Sequence, residues 1–390
     1  MNILLIGNGM YSTGRGTKEF GTILPAIIEW QRTCENPLDL AVVGTNEEHS
    51  ILAREKYNQL SDLTGVELNI EFYPNDENKL LKSYLDIINS VDRPDCAIIV
   101  VPDHLHYKIT KDCLMAGLHC LVVKPLVLTT NEAIDLTQIA KDKNLYGAVE
   151  YHKRWDKSNL IVKETVERDL GEILYCLVEY SQRKSVPSEI FNQWAENSNV
   201  LNYLGIHYID IMYFISKATP NRVMVVGQKN WLKGNKNINT YDSIQCVIEW
   251  VGNLGNSFTQ TLLLNWIDPE TSTAMSDQKI KIIGTKGRVE ADQKERGIRI
   301  SLDNSHLDEP NPDFCKPYRN INGKFSWKGY GIDSVVTFLF DIKNIEEGFI
   351  NLEDLSDARP TFEDSIIVTS IIEAANKSLN NGGAWESVDI

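Results

Sequence analysis

The chain lacks the features that would tie it to nucleic acid, to a membrane or to a disulfide scaffold. Basic residues are the minority, 39 Lys and Arg against 54 Asp and Glu, for a formal charge of -15. Binding to phosphate backbones or anionic lipid needs the opposite excess, so neither is expected as a main partner. No stretch approaches the roughly 20 apolar residues that span a bilayer, and MNILLIGNGM has no basic segment ahead of a long apolar run. Cysteine is sparse and odd in number (Cys34, Cys96, Cys113, Cys120, Cys176, Cys246, Cys315), without a CxxC or Cys/His cluster. A structural zinc site is therefore not expected, and free thiols in a reducing, cytoplasmic compartment are. No repeat period is visible.

What is present is ordinary globular material: 390 residues, 42% hydrophobic and 24% charged, enough for two domains with their own cores. Through residue 150, short apolar runs (3–6, 40–43, 96–101, 120–123, 146–149) alternate with helical patterns (47–60, 107–116, 131–142). That alternation predicts βαβ units, a parallel sheet covered on both faces and a Rossmann-type domain over 1–150. After Arg154 a strand-like run at 173–180 is followed by a helix at 202–214 and by further strand-like runs at 223–229, 241–250, 257–265, 279–283 and 297–302. These predict an α+β domain over 151–390 with an open, mostly antiparallel sheet. Turn formers make 303–323 a long surface loop, and helices are expected at 333–343 and 362–379. The last of these is a candidate to pack back on the first domain.

Gly7-Asn8-Gly9 follows the first apolar run, where a dinucleotide fold needs glycines so that backbone N–H groups can approach a pyrophosphate. Gly7, Asn8, Gly9 and Met10 are the candidate phosphate contacts, although Ser12 stands at the place of the usual third glycine and a helix is expected only from Ile23. The second run ends Val43-Gly44-Thr45-Asn46, without the carboxylate that grips the ribose diol of NAD. Glu47 and Glu48 come one or two residues later. Either NAD(H) or NADP(H) fits, with Thr45 and Asn46 at the ribose and Arg15 and Arg54 as possible phosphate contacts. For each arginine a solvated surface position is the plainer alternative.

Lys124-Pro125 ends the run at 120–123, on the side where open α/β sheets bind ligands. A lysine there can stabilise an alkoxide that develops as hydride leaves or arrives. A strand-capping surface lysine is the alternative. Within 202–214, Tyr203, His207 and Asp210 share a polar arc at i, i+4 and i+7. Hydride transfer at a C–OH carbon needs an acid or base at that oxygen, and histidine titrates in the right range; a plain surface histidine is the alternative. Trp194, Tyr203, Tyr208 and Trp266 are candidates to stack on a sugar ring, or to serve cores and interfaces.

VPDHLHY (101–107), GLHCLVVKPL (117–126), EYHKRWD (150–156), GIHYID (205–210), KIIGTKGRVE (281–290) and TFEDSIIVTSIIEAANKS (361–378) resemble, in order, the landmarks of the Gfo/Idh/MocA oxidoreductases. The resemblance implies a Rossmann domain, a C-terminal sheet used for homodimer or homotetramer contacts, and NAD(P)-linked oxidation or reduction of sugars, polyols or nucleotide sugars. Lys124 would be the catalytic lysine, contacting both cofactor and substrate, and His207, at the substrate, the proton donor or acceptor. Val101, Pro102, His104 and His106 would lie beside the cofactor, with Arg154, Tyr203 and Trp266 near substrate. Two positions depart from the pattern. Val123 replaces the glutamate before the lysine, and Tyr203 replaces an aspartate before the histidine. Both losses predict a more positive pocket, suited to an acidic or phosphorylated sugar. The same family includes NAD-dependent glycoside hydrolases, and a non-catalytic dinucleotide or sugar sensor is a third reading.

Overall fold

Apolar runs without polar alternation must be buried on both faces, and five such runs form the centre of a parallel sheet. The computed structural model describes all residues except 36, 76–82, 91–93, 191–194 and 306. In chain order come β1 (Asn2–Ile6), α1 (Met10–Thr13), α2 (Ile23–Gln31), β2 (Asp39–Val43), α3 (Glu47–Thr64), β3 (Asn69–Tyr73), α4 (Tyr84–Ile88), β4 (Cys96–Ile99), α5 (His106–Met115), β5 (His119–Val123), α6 (Thr130–Asp142) and β6 (Gly147–Glu150). The strands align as β3-β2-β1-β4-β5-β6, all parallel, which is the Rossmann order. Strand β3 was not expected from sequence.

The next elements are α7 (Lys157–Arg168), β7 (Ile173–Arg183), α8 (Ile206–Ser216), β8 (Thr219–Gln228), α9 (Trp231–Lys236), β9 (Ser243–Val251), β10 (Ser257–Asp268), β11 (Ser276–Gly284) and β12 (Gly287–Asp292). They build a second sheet, closed at one edge by β15 (Glu386–Ser387), in the order β12-β11-β7-β10-β9-β8-β15. Only β7 and β10 pair in parallel; the other pairs are antiparallel. Strands β9, β10 and β11 alternate buried and partly exposed residues, so one face of this sheet carries the core. The expected strand at 297–302 is absent. Its residues make only an isolated bridge, Ile300 to Asp308, and the edge position is taken by β12.

Residues 303–323 are not loop throughout, because β13 (Lys316–Arg319) pairs with β14 (Phe325–Lys328). The hairpin leads into α10 (Tyr330–Glu346) and then α11 (Phe362–Asn380). Contacts divide the chain into one unit of Met1–Trp155 with Asp313–Ile366 and another of Asp156–Pro312 with Ile367–Ile390. The continuous second domain expected over 151–390 is thus interrupted by 313–366. The reason is apolar: Val335, Phe338, Leu339 and Ile342 of α10 join Ile23, Ile27 and Trp30 of α2 in the first unit's core. Each such fully buried side chain contributes about 1.5–3 kcal/mol. The segment before α11 also covers the sheet edge, with the Val149 N–H donating to the Pro360 carbonyl at 2.8 Å.

Candidate active site

Gly7 follows β1 with φ +105, and a Cβ there would lie 1.9 Å from the Val100 carbonyl oxygen, so only glycine fits. Its N–H donates to Val43 O at 2.8 Å, which fixes the turn between β1 and β2. Gly9 is different: among the described residues no atom lies within 4 Å of where its Cβ would be, which leaves room for a ligand to approach the backbone. Asn8 is buried, and its Nδ2 has no hydrogen-bond acceptor among the described residues. An open glycine beside a tight one, with a buried amide lacking an acceptor, fits a dinucleotide pyrophosphate at this turn.

The helix opening at this turn is the short α1, not the helix expected from Ile23. Met10 is its first residue and is exposed. Ser12 is fully buried, and its hydroxyl donates to Gly9 O at 3.1 Å, which is how serine is accommodated in place of the third glycine. Arg15 folds back over the turn, Nε donating to Asn8 O at 2.9 Å. Arg54 lies over the Phe72 ring, lining an open groove along β3 with Tyr57 and Asn69. At the end of β2, Thr45 is exposed, and Asn46 caps α3 by accepting from the His49 N–H at 2.9 Å. No carboxylate stands at 44–46, and Glu47 and Glu48 begin α3.

The loop after β4 carries Val101, Pro102 and His104, the last two exposed. His106 is fully buried. Its Nδ1 lies 2.6 Å from Pro125 O and its Nε2 2.8 Å from Val101 O, so it clamps two loops together and has no nitrogen left to face a cofactor.

Lys124, directly after β5, is half-buried. Burial lowers its pKa to about 8, against the pull of Asp103 and Glu150, which favour the charged form. Asp103 and Glu150 thus act on Lys124 although residue 123 carries no charge. Glu150 is buried and accepts from the Ser334 hydroxyl at 2.9 Å, while His152 Nδ1 lies 3.0 Å away. Tyr11 faces the same carboxylate. Its phenol pKa is pushed well up by burial and then by Glu150, which keeps it a protonated donor.

In the second unit, α8 follows a π-helical turn at Leu201–Gly205, and such turns recur at functional sites. His207 is 6% exposed and Asp210 is 0% exposed, so His207 is not the plain surface histidine of the alternative reading. Tyr208 is not free to stack on a sugar. It is fully buried, donates to Gln293 Oε1 at 2.7 Å and meets Tyr180 edge-on. Trp266 is also fully buried, Nε1 donating to Gln182 Oε1 at 3.2 Å, with half-buried Tyr203 against it at 5.7 Å between centroids. The wall expected of Trp266 thus becomes a support behind Tyr203. Arg154, in the first unit, is buried and donates to Asp364 at 2.7 Å. Trp194 lies outside the described residues.

Glu150, His152 and Tyr11 were missed as site residues. The signal for Glu150 was a carboxylate ending an otherwise apolar strand, inside the EYHKRWD motif. Tyr11 sits in α1 with nothing local to mark it.

Residues 35–151 match the family model of an oxidoreductase family with an NAD-binding Rossmann fold, and 161–290 match that of the GFO/IDH/MocA C-terminal domain. Among curated relatives, a scyllo-inositol 2-dehydrogenase (NADP(+)) of Bacillus subtilis is 31% identical over 33% of this chain and 38% of its own length. A UDP-N-acetylglucosamine 3-dehydrogenase of Acidithiobacillus ferrooxidans is 26% identical over 44% of this chain and 53% of its own. The chain thus spans between about a third and a half of these relatives' lengths. Among solved structures, scyllo-inositol dehydrogenase from Lactobacillus casei, with NAD(H) and scyllo-inositol, superposes at a TM-score of 0.68 and 16% identity, covering 100% of this chain and 99% of that one. Myo-inositol 2-dehydrogenase from Lactobacillus plantarum gives 0.70 and 17%, with the same coverage. The likeness to these structures is one of fold, and the two family models together match more than half of the sequence: the chain belongs to the Gfo/Idh/MocA oxidoreductases.

Proposed function

We propose that the protein is an NAD(P)-dependent dehydrogenase or reductase acting on a C–OH carbon of a sugar, polyol or nucleotide sugar. Lys124 supports this reading most, as a lysine at the carboxyl end of a parallel strand, buried enough to lower its pKa to about 8. The dinucleotide, when bound, supplies or accepts the hydride. Gly7, Asn8, Gly9 and Met10 would hold its pyrophosphate, and Thr45 and Asn46 its ribose. Val101, Pro102 and His104 would border it. Lys124 donates a hydrogen bond to the substrate oxygen and offsets alkoxide charge, and His207 takes or returns that oxygen's proton. Tyr203 contacts the substrate, backed by Trp266. Arg154, engaged by Asp364, orders the turn after β6.

A panel of inositols, sugars and nucleotide sugars with NAD and with NADP, followed by reduced-nicotinamide absorbance, tests the reading; no turnover with any member refutes it. Because the charged form of Lys124 is the working form, kcat/KM for oxidation should fall as pH rises through about 8. A profile flat from pH 7 to about 9.5 contradicts that role.

We also propose a homodimer or homotetramer built on the second unit's sheet. The open face carries Val226, Leu263 and Tyr175 exposed, with Met224, Val247 and Leu177 partly exposed. A monomer mass by light scattering at micromolar concentration refutes this. Seven free cysteines support a cytoplasmic, reducing setting.

A further inference from the structure

The turn at Gly7 and Gly9 is followed by a helix too short to do a helix's usual work. Where a full helix opens on such a turn, its dipole adds positive field to the backbone N–H groups that meet a phosphate. Here α1 stops after four residues, Met10–Thr13, as Gly14 takes φ +77. The next residue is a cation. Arg15 is half-buried and reaches back over the turn, its Nε donating to Asn8 O at 2.9 Å.

That carbonyl does not depend on the arginine, because the Thr13 hydroxyl also donates to it, at 3.1 Å. Nor does a carboxylate hold the side chain. Among the described residues the terminal nitrogens of Arg15 meet no acceptor, whereas Arg154, Arg296 and Arg359 each grip an aspartate. In a chain with 54 acidic residues, a half-buried guanidinium without a counterion leaves positive charge for an anionic ligand to meet. The loop that carries it is firmly built. Thr17 donates to Gly14 O through its N–H, at 3.0 Å, and through its hydroxyl, at 2.9 Å. The same hydroxyl accepts the Glu19 N–H at 3.1 Å, and the Thr22 N–H closes the loop on Tyr11 O at 2.7 Å. With Nε fixed on the turn, the planar guanidinium keeps its two terminal nitrogens side by side there.

We propose that Arg15 clamps the pyrophosphate of the bound dinucleotide, supplying the positive charge that the four-residue helix cannot. The inference rests on the dinucleotide occupying this turn. A 2'-phosphate on the cofactor would offer the same fork the same chemistry, so the test separates the two phosphates.

Calorimetric titration of the full chain with NAD and with NADP, without substrate, at about 50 and about 300 mM KCl decides the matter. Arg15→Gln should weaken both dinucleotides about tenfold at the lower salt. The gap should narrow at the higher salt, because a contact between charges is screened and a fault in the shape of the turn is not. Arg15→Lys keeps the charge without the fork and should lose about threefold. Both variants should melt within about 2 °C of wild type when free of cofactor, which makes the loss one of binding and not of folding. A loss confined to NADP moves Arg15 to the 2'-phosphate and overturns the pyrophosphate assignment. An Arg15→Gln affinity within about twofold of wild type, or a loss that salt leaves unchanged, overturns it as well. Because binding is read apart from turnover, a chain that binds NAD through Arg15 but turns over no substrate loses the proposed reaction and keeps this contact.

Discussion

Replacing Lys124 with alanine is expected to lower kcat by about a thousandfold, roughly 4 kcal/mol of barrier. The size follows from what the ammonium meets at each stage. In the ground state it faces a neutral hydroxyl or carbonyl, and in the transition state an oxygen gaining negative charge, so its loss falls mainly on kcat. Dinucleotide affinity should change little, because the turn at Gly7 and Gly9 is built from β1, α1 and the Val43 carbonyl and does not depend on Lys124. A second variant separates chemistry from folding. Lys124→Met keeps the length and removes the charge, and since burying the ammonium is itself unfavourable, this inactive variant should be at least as stable as wild type. Single-turnover kinetics with saturating cofactor would measure the first effect and thermal melting the second. A Lys124→Ala enzyme with kcat within about threefold of wild type would move alkoxide stabilisation to another group.

The sequence made some of this legible and hid the rest, for physical reasons. Strands β1, β2, β4, β5 and β6 are buried on both faces, so their composition is nearly pure hydrocarbon and no other element fits. Edge strand β3 reads NIEFY and buries only its last two residues, so its hydrophobic signal is thin. The same applies at the other sheet's edge: β12, GRVEAD, is half polar, while the more apolar GIRISL at 297–302 makes only an isolated bridge among the described residues. Lys124 was legible because a single strand and a proline determine its position. The pairing of Glu150 with Val123 was not, since it is created by the β5–β6 register across the intervening α6. On α8, the spacing marked a polar arc without showing that it is buried. Tyr208 instead finds Gln293 and Gln278 inside the protein, and hydrogen bonding of this kind lets polar side chains be buried without revealing it in their spacing.

The largest stability effect is expected at Arg296. Asp156 is fully buried at the start of α7, where its Oδ1 accepts the Ser158 N–H at 3.1 Å as a helix cap. Arg296 grips the same carboxylate with both terminal nitrogens, at 3.1 and 2.6 Å, while its Nε donates to Gln293 O at 2.9 Å. Such a pair contributes little net stability over a well-packed apolar pair, because both ions lose their hydration. Breaking it is another matter. Arg296→Ala strands a buried carboxylate and should cost about 3–5 kcal/mol. Arg296→Lys keeps the charge but not the two-pronged geometry, so its loss should be intermediate. Changing both partners, Asp156→Asn with Arg296→Met, should cost less than Arg296→Ala alone, because the capping oxygen is retained and no charge is left buried. Urea unfolding of the series would show this as a lowered midpoint at unchanged slope. A loss below about 1 kcal/mol in Arg296→Ala would mean that water reaches Asp156 in solution, and that the pair is held together by no more than a surface ion pair's worth of energy.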